Sequence, residues 1–264
     1  MSGKVVIKLG GGLITDKGSM KTINTEAVRS VAKYVAEITD LGFAVLLVHG
    51  AGSYGHILAK KWSIASGSRR SILESQREAV SRIRKDMIEL NSIVIGCLEE
   101  QGLQCESLPP SNWAMGTGKE FSGNLTIFEN EKGVIPVTFG DVVDTNDGTE
   151  FGILSGDDIM LRLSNEMVGV GHAIFLIGDA PGIMDRPPHQ DGAILLETWG
   201  PNDSVNSEHY EEIDVTGGIR LKMERASEIS RNVQNVWIID GRQPSRLLEL
   251  LTRGQTIGTR IMPS

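Results

Sequence analysis

Three features of the sequence predict an α/β fold with helices on both faces of an open, mainly parallel sheet. Short apolar runs of strand length alternate along the chain with segments of helical period. Several of those runs stop at clustered glycines, after which the next helical pattern begins. A length of 264 residues is also enough to bury one large core.

The elements follow in order. Val5, Val6, Ile7 and Leu9 form a buried strand that ends at Gly10-Gly11-Gly12. Ala27, Val31, Tyr34, Val35 and Ile38 recur at helical spacing, and Gly42 is the stop signal. A second buried strand, Ala44 to Val48, runs into His49-Gly50-Ala51-Gly52-Ser53-Tyr54-Gly55-His56, with a helix expected from Ile57. Residues 61–72 are polar and Ser-rich, and read as a mobile loop. Val80, Ile83, Met87, Leu90, Val94 and Cys97 then keep a three-four spacing up to Gly102, the mark of one long amphipathic helix. Its charged residues read as a solvated face.

Val134 to Val137 is the next strand, followed by a hairpin-like stretch through the Asn146-Asp147-Gly148 turn signal. Ser155 is a fitting N-cap for a helix through about Asn165, with Asp157 and Asp158 in its first turn. A buried strand from Ala173 to Ile177 stops at Gly178, and 184–210 reads as irregular and acidic. Thr216-Gly217-Gly218 opens a helix through Ile219, Met223, Ala226 and Ile229. A strand at 236–239, a helix at 245–251 and a strand at 255–261 complete the pattern.

Composition excludes several function classes. Lys+Arg total 26 against Asp+Glu 34, a net charge of −8, which argues against a broad nucleic-acid or anionic-membrane surface. Any bound phosphate must find a local site. Cys97 and Cys105 have no metal-ligand spacing, so neither a metal site nor a disulfide framework is expected. With no apolar run of transmembrane length and no signal-like segment, a cytoplasmic protein is the expectation.

The 31 glycines are far above the usual share of about 7%. Three clusters, at 10–12, 50–55 and 216–218, fall at strand-to-helix junctions. Glycine lets backbone N–H groups approach an anion, and a helix N-terminus adds a favourable dipole. All three are expected on the carboxyl-end rim of one sheet, where open α/β sheets bind ligands. No Walker loop is present. The spacing Gly50, Gly52, Gly55 fits a dinucleotide fingerprint, but Glu74, the acid about twenty residues on, sits in what reads as a polar loop, so NAD is a weak alternative. Lys8 stands inside an apolar strand, where an ammonium is costly unless it meets an anion. Lys17 follows the first glycine loop, His56 ends the second, and Lys222 lies one turn into the third helix. Asp157 or Asp158 is placed to hold lysines, whereas His49 and His172 read as packing histidines.

The segments IKLGGGLITDK (7–17), LVHGAGSYGH (47–56), FGDV (139–142), FGILSGDDIM (151–160) and DVTGGIRLK (214–222) resemble the amino acid kinase superfamily over essentially the whole chain. Within it, GxGSxGH at 50–56 resembles the isopentenyl phosphate kinases and the similar fosfomycin kinase. The resemblance implies a three-layer αβα sandwich in a homodimer, with an acceptor lobe at 1–165 and a nucleotide lobe at 166–264 on one continuous sheet. It implies transfer of the ATP γ-phosphoryl group to isopentenyl phosphate, a small alkenyl phosphate, with Mg2+ held mainly by the nucleotide phosphates.

By the same resemblance, His56 contacts the acceptor phosphate beside Ala51, Gly55 and Gly156. Lys8 and Lys17 stabilise the migrating group, and Asp157 orients the lysines. Gly10, Gly11, Gly12 and Gly52 cradle the ATP phosphates, with Asp179, Gly182, Gly218 and Lys222 on the nucleotide's other side. Val80, Ile83, Val142 and Ile153 match the wall of the alkenyl tail. The segment after Ile177 departs from the family's TDVDGIY-like pattern: it reads Gly178-Asp179-Ala180-Pro181-Gly182-Ile183-Met184, keeping Asp179 and Gly182. The alternatives are a phosphonate kinase of the fosfomycin type and a non-catalytic, nucleotide-sensing member of the fold.

Overall fold

A computed structural model describes residues 3–16, 18–129, 133–200 and 218–263. The first half runs β1 (Lys4–Leu9), α1 (Gly11–Ile14), α2 (Thr25–Asp40), β2 (Ala44–His49), α3 (Gly52–Lys61), α4 (Leu73–Glu99), β3 (Gln104–Ser107), β4 (Ala114–Met115) and β5 (Ser122–Gly123). The second half runs β6 (Val134–Phe139), β7 (Asp141–Asp144), β8 (Phe151–Leu154), α5 (Gly156–Glu166), β9 (Val170–Ile177), β10 (Thr198–Trp199), α6 (Gly218–Ser230), β11 (Asn235–Asp240), α7 (Ser245–Arg253) and β12 (Thr259–Ile261).

Eight strands form one sheet in the order β10-β12-β11-β9-β1-β2-β6-β3. Its neighbours are parallel except for the β11–β12 pair. From β1 the chain builds outward through β2 to one side, then returns to lay β9 on the other. The order therefore reverses beside β1, and an open sheet has its ligand crevice at such a reversal.

Strand alternation sorts the core into two layers. Val5, Ile7 and Leu9 face one way and pack with Val31, Val35, Ile83, Met87, Leu90 and Leu247 from the helices of that face. Val6 faces the other way, among Ile159, Leu163, Met223 and Ile229 of α5 and α6. Lys8 shares the parity of Val6, so its side chain enters the α5/α6 layer. His49 shares the parity of Leu47 and faces α4. A second, smaller sheet, β5-β4-β7-β8, carries the expected hairpin and sets Val142 and Ile153 beside α4.

Several expectations are corrected. Residues 61–72 are an ordered connection: it contains two 3-10 turns, and Ile64 is fully buried. The Gln76 side chain pins it, donating to the Trp62 and Gly67 carbonyls and accepting from Arg69 N–H. Glu74 belongs to the first turn of α4 and not to a loop. Helix α3 begins at Gly52, so Gly55 and His56 lie inside it. The final strand is only Thr259–Ile261 and runs antiparallel to β11. Part of 184–210 is organised by a Met184–Leu195 bridge and by β10, while 201–217, with Thr216 and Gly217 of the third glycine cluster, lie outside the described residues.

Candidate active site

The carboxyl ends of β9, β1, β2 and β6 open onto one cavity of ≈ 880 Å3. Each strand hands over to a glycine there: Gly178, Gly10, Gly50 and Gly140. Backbone crowding explains the residue type. A Cβ on Gly50 would stand 2.5 Å from Gly11 N, and one on Gly11 would stand 2.6 Å from Gly52 N. Gly52 also has φ +48°, and a side chain on it would overlap Thr15. Thr15 is the clasp between the two loops. Its hydroxyl donates to Gly11 O at 2.8 Å and accepts from Ser53 N–H at 3.0 Å.

Lys8, Asp157 and Lys222 meet on one wall of the cavity. Asp157 sits in the first turn of α5, whose N-cap Ser155 accepts from Asp157 N–H at 3.2 Å. Asp157 Oδ1 lies 2.5 Å from Lys8 Nζ and 3.2 Å from Lys222 Nζ. Lys8 and Asp157 are buried and Lys222 is nearly so. Burial pushes the Lys8 ammonium down to about 8, with Asp157 opposing the shift and Lys222 adding to it. For Asp157, burial favours the neutral acid, but Lys222 and Lys8 outweigh it and hold the carboxyl below its usual range. The site is thus one carboxylate between two ammoniums, with one positive charge in excess facing the cavity. Lys222 also lies 5.8 Å from the centre of the Phe175 ring. Next along α5, Asp158 Oδ1 is 2.6 Å from Arg225 Nε, a second pin between α5 and α6.

Of the residues named from the sequence, the cavity is lined by Lys8, Gly10, Gly11, Gly12, Ala51, Gly52, Gly55 and His56 on the β1 and β2 side. Gly156, Asp157, Asp179, Gly182, Gly218 and Lys222 line it from the second half. Ile83, Val142 and Ile153 line the same cavity, Val142 and Ile153 as a cross-strand pair and Ile83 close to Gly55. Val80 does not line this cavity. It lies one turn before Ile83 and borders a separate groove with Arg77, Arg84, Asp144 and Phe151. Met87, one turn after Ile83 on the same helix face, occupies the wall instead. Met87 was readable as an i+4 partner of Ile83. Arg186 and His189 also line the cavity, with no sequence pattern that marks them.

Lys17 lies outside the described residues. Among the described residues around it, Asp16 N–H donates to Thr22 O at 2.9 Å, and Lys21 Nζ reaches Asp86 at 3.1 Å and Glu89 at 2.6 Å.

A family model described as "Amino acid kinase family" matches residues 3–240. The chain belongs to the amino acid kinase family. It is 34% identical over 247 residues to the isopentenyl phosphate kinase of Thermoplasma acidophilum, covering 92% of this chain and 94% of that protein. The isopentenyl phosphate kinase of Methanothermobacter thermautotrophicus is 29% identical over 270 residues, covering 97% and 98%. This amino acid kinase fold also superposes on the T. acidophilum isopentenyl phosphate kinase product complex with a TM-score of 0.80 at 30% identity, over 98% of this chain and 99% of the other. For an isopentenyl phosphate kinase substrate complex the TM-score is 0.81 at 29% identity, with the same coverage.

Proposed function

We propose that this chain transfers the γ-phosphoryl group of ATP to isopentenyl phosphate, giving ADP and isopentenyl diphosphate. The observation that carries the reading is the Lys8–Asp157–Lys222 cluster, which lines one cavity together with the glycine loops and the apolar side chains of Ile83, Met87, Val142 and Ile153. The glycine loops and lysines suit several phosphates, and the apolar side chains suit a short hydrocarbon tail.

In the reaction an oxygen of the acceptor phosphate forms a bond to the γ-phosphorus as the bond to the β–γ bridging oxygen breaks and ADP departs. The acceptor oxygen is already ionised near neutral pH, so positioning and positive charge matter more than a general base. His56, with the backbone at Ala51, Gly55 and Gly156, holds the acceptor phosphate. Lys8 and Lys17 stabilise charge on the migrating group, and Asp157 keeps Lys8 and Lys222 in place. Gly10, Gly11, Gly12 and Gly52 present N–H groups to the ATP phosphates, while Asp179, Gly182, Gly218 and Lys222 contact the rest of the nucleotide. Bound with ATP, Mg2+ supplies charge neutralisation on the phosphates, which hold it in the main. In this reading the acceptor lobe is 1–165, the nucleotide lobe is 166–264, and the enzyme is a cytoplasmic homodimer.

The test is steady-state kinetics of His56→Ala. Loss of a hydrogen bond to a charged phosphate, about 1.5–3 kcal/mol, should lower kcat/KM for isopentenyl phosphate by roughly 10- to 150-fold. KM for ATP should stay within about twofold. Unchanged KM and kcat with isopentenyl phosphate would remove His56 from the acceptor site.

A further inference from the structure

The proposed reaction uses His56 but gives no task to His49, the histidine that begins the same loop. His49 is fully buried and stacks on Phe139, with ring centres 5.0 Å apart. Its Nδ1 lies 3.0 Å from Gly50 O. Its Nε2 lies 3.1 Å from Asn91 Oδ1, and Asn91 Nδ2 lies 2.7 Å from Ser107 Oγ. A carbonyl only accepts, so Nδ1 carries the proton. Burial pushes the imidazole down to about 4, so the ring is neutral near pH 7 and Nε2 is a lone pair needing a donor. A neutral ring cannot donate to both Gly50 O and Asn91 Oδ1, so the Asn91 amide takes the half-turned orientation, in which its NH2 faces the ring and its oxygen accepts from the Ser107 hydroxyl. A buried chain from β3 through α4 therefore ends on a single backbone carbonyl.

That carbonyl belongs to the peptide joining Gly50 and Ala51. No peptide among the described residues is cis, and in a trans peptide C=O and N–H point in opposite directions. With Gly50 O held back against the His49 ring in the α4 layer, Ala51 N–H turns the other way, toward the cavity that both residues line. Gly50 has no side chain to restrain this plane, and none fits, because Gly11 N stands too close. Another group must fix the plane.

We propose that His49 is a positioning residue for the acceptor phosphate: by donating from Nδ1 to Gly50 O, it locks Ala51 N–H into the cavity as a phosphate donor. This rests on the acceptor-phosphate placement proposed above. Asn91 and Ser107 hold the ring in the tautomer that can do so, as outer groups commonly orient a binding group.

Two substitutions separate the lock from ordinary packing. His49→Phe keeps the stacked ring and loses both nitrogens. His49→Asn puts an amide N–H near the Nδ1 position. Calorimetric titration with isopentenyl phosphate, in the presence of a non-hydrolysable ATP analogue, should show binding to His49→Phe weakened roughly 10-fold or more. His49→Asn should bind within about threefold of wild type, and the analogue's own affinity should be unchanged in both. Equal weakening of both ligands, or full-strength binding of isopentenyl phosphate to His49→Phe, overturns the lock. Should His49→Phe fail to fold, His49→Gln takes its place, because its amide reaches the Nε2 position instead. Gln binding as well as Asn then overturns the proposal, and Gln binding more weakly upholds it. A wild-type protein that takes no isopentenyl phosphate contradicts the functional reading and the lock together. A wild type that binds, with His49→Phe unimpaired, contradicts the lock alone.

Discussion

The ammonium of Lys8 gives the sharpest quantitative expectation. Burial lowers its pKa to about 8 in the free protein, and the proposed role needs it charged. Near pH 7 about nine-tenths of the molecules carry the charge, and near pH 9 about one-tenth do, so kcat/KM should fall about tenfold over that interval. The phosphates do not share this limb, because the second pKa of a phosphate is near 6 and their ionisation rises with pH above it. Nor is the limb unfolding. A lysine whose folded pKa lies below its unfolded value contributes stability that grows with pH between about 8 and 10.5. Asp157→Asn supplies the control. It removes the carboxylate that raises the Lys8 pKa, so the descending limb must move to lower pH and the rate at pH 7 must drop. The assay is initial-rate ADP release at sub-saturating ATP from pH 6.5 to 9.5, with circular dichroism confirming the fold. A flat wild-type profile to pH 9, or a limb that moves to higher pH in Asp157→Asn, would refute the reasoning.

Other expectations rest on separate parts of the molecule. Asp141 is 3% exposed, its Oδ1 accepts from Val142 N–H, and its Oδ2 has no partner among the described residues. Burial raises its pKa to about 7, so its stabilising contribution is present below pH 4 and is lost as pH rises through 7, by up to about 4 kcal/mol. Asp141→Asn should therefore flatten the decline in Tm between pH 4 and pH 7.5, and a decline as steep as wild type's argues against it. Ile83→Ala should cost about 2–4 kcal/mol by denaturant unfolding. It should also raise the ratio of kcat/KM for a ten-carbon over a five-carbon alkenyl phosphate by about tenfold or more. An unchanged ratio removes Ile83 from the tail site. Gly52→Ala forces a side chain onto a positive φ against Thr15, and should lower stability by more than about 1 kcal/mol while raising KM for ATP. Wild-type stability and KM would show that the loop tolerates rearrangement.

Lys8 was legible because a charged residue in an apolar strand demands a partner, and strand parity then assigns it to the α5/α6 layer. The first two glycine clusters were legible for a similar reason: each sits where a strand ends, after β1 and after β2, and parallel strands bring their ends to one rim. Val80 misled because helical spacing identifies a buried face but not which neighbour covers each part of it. The β7–β8 hairpin takes Ile83 and Met87 into the cavity and leaves Val80 beside Phe151. Residues 61–72 carry no local pattern, because one buried side chain, Gln76, supplies the bonds that order them from outside the segment. Strands β4, β5 and β10 are two residues each and exist through their pairing partners alone. His49 was assigned to packing. Its hydrogen bond to the adjacent glycine carbonyl depends on Asn91, 42 positions away, which no local spacing reveals.

The central claim is the identity of the acceptor. Phosphorus NMR of the purified protein with ATP, Mg2+ and isopentenyl phosphate tests it directly, with fosfomycin in a parallel sample. The account predicts paired diphosphate resonances of a new alkenyl product appearing as ADP accumulates, with fosfomycin consumed far more slowly. ADP formation that ignores isopentenyl phosphate, or faster turnover of fosfomycin, would contradict it.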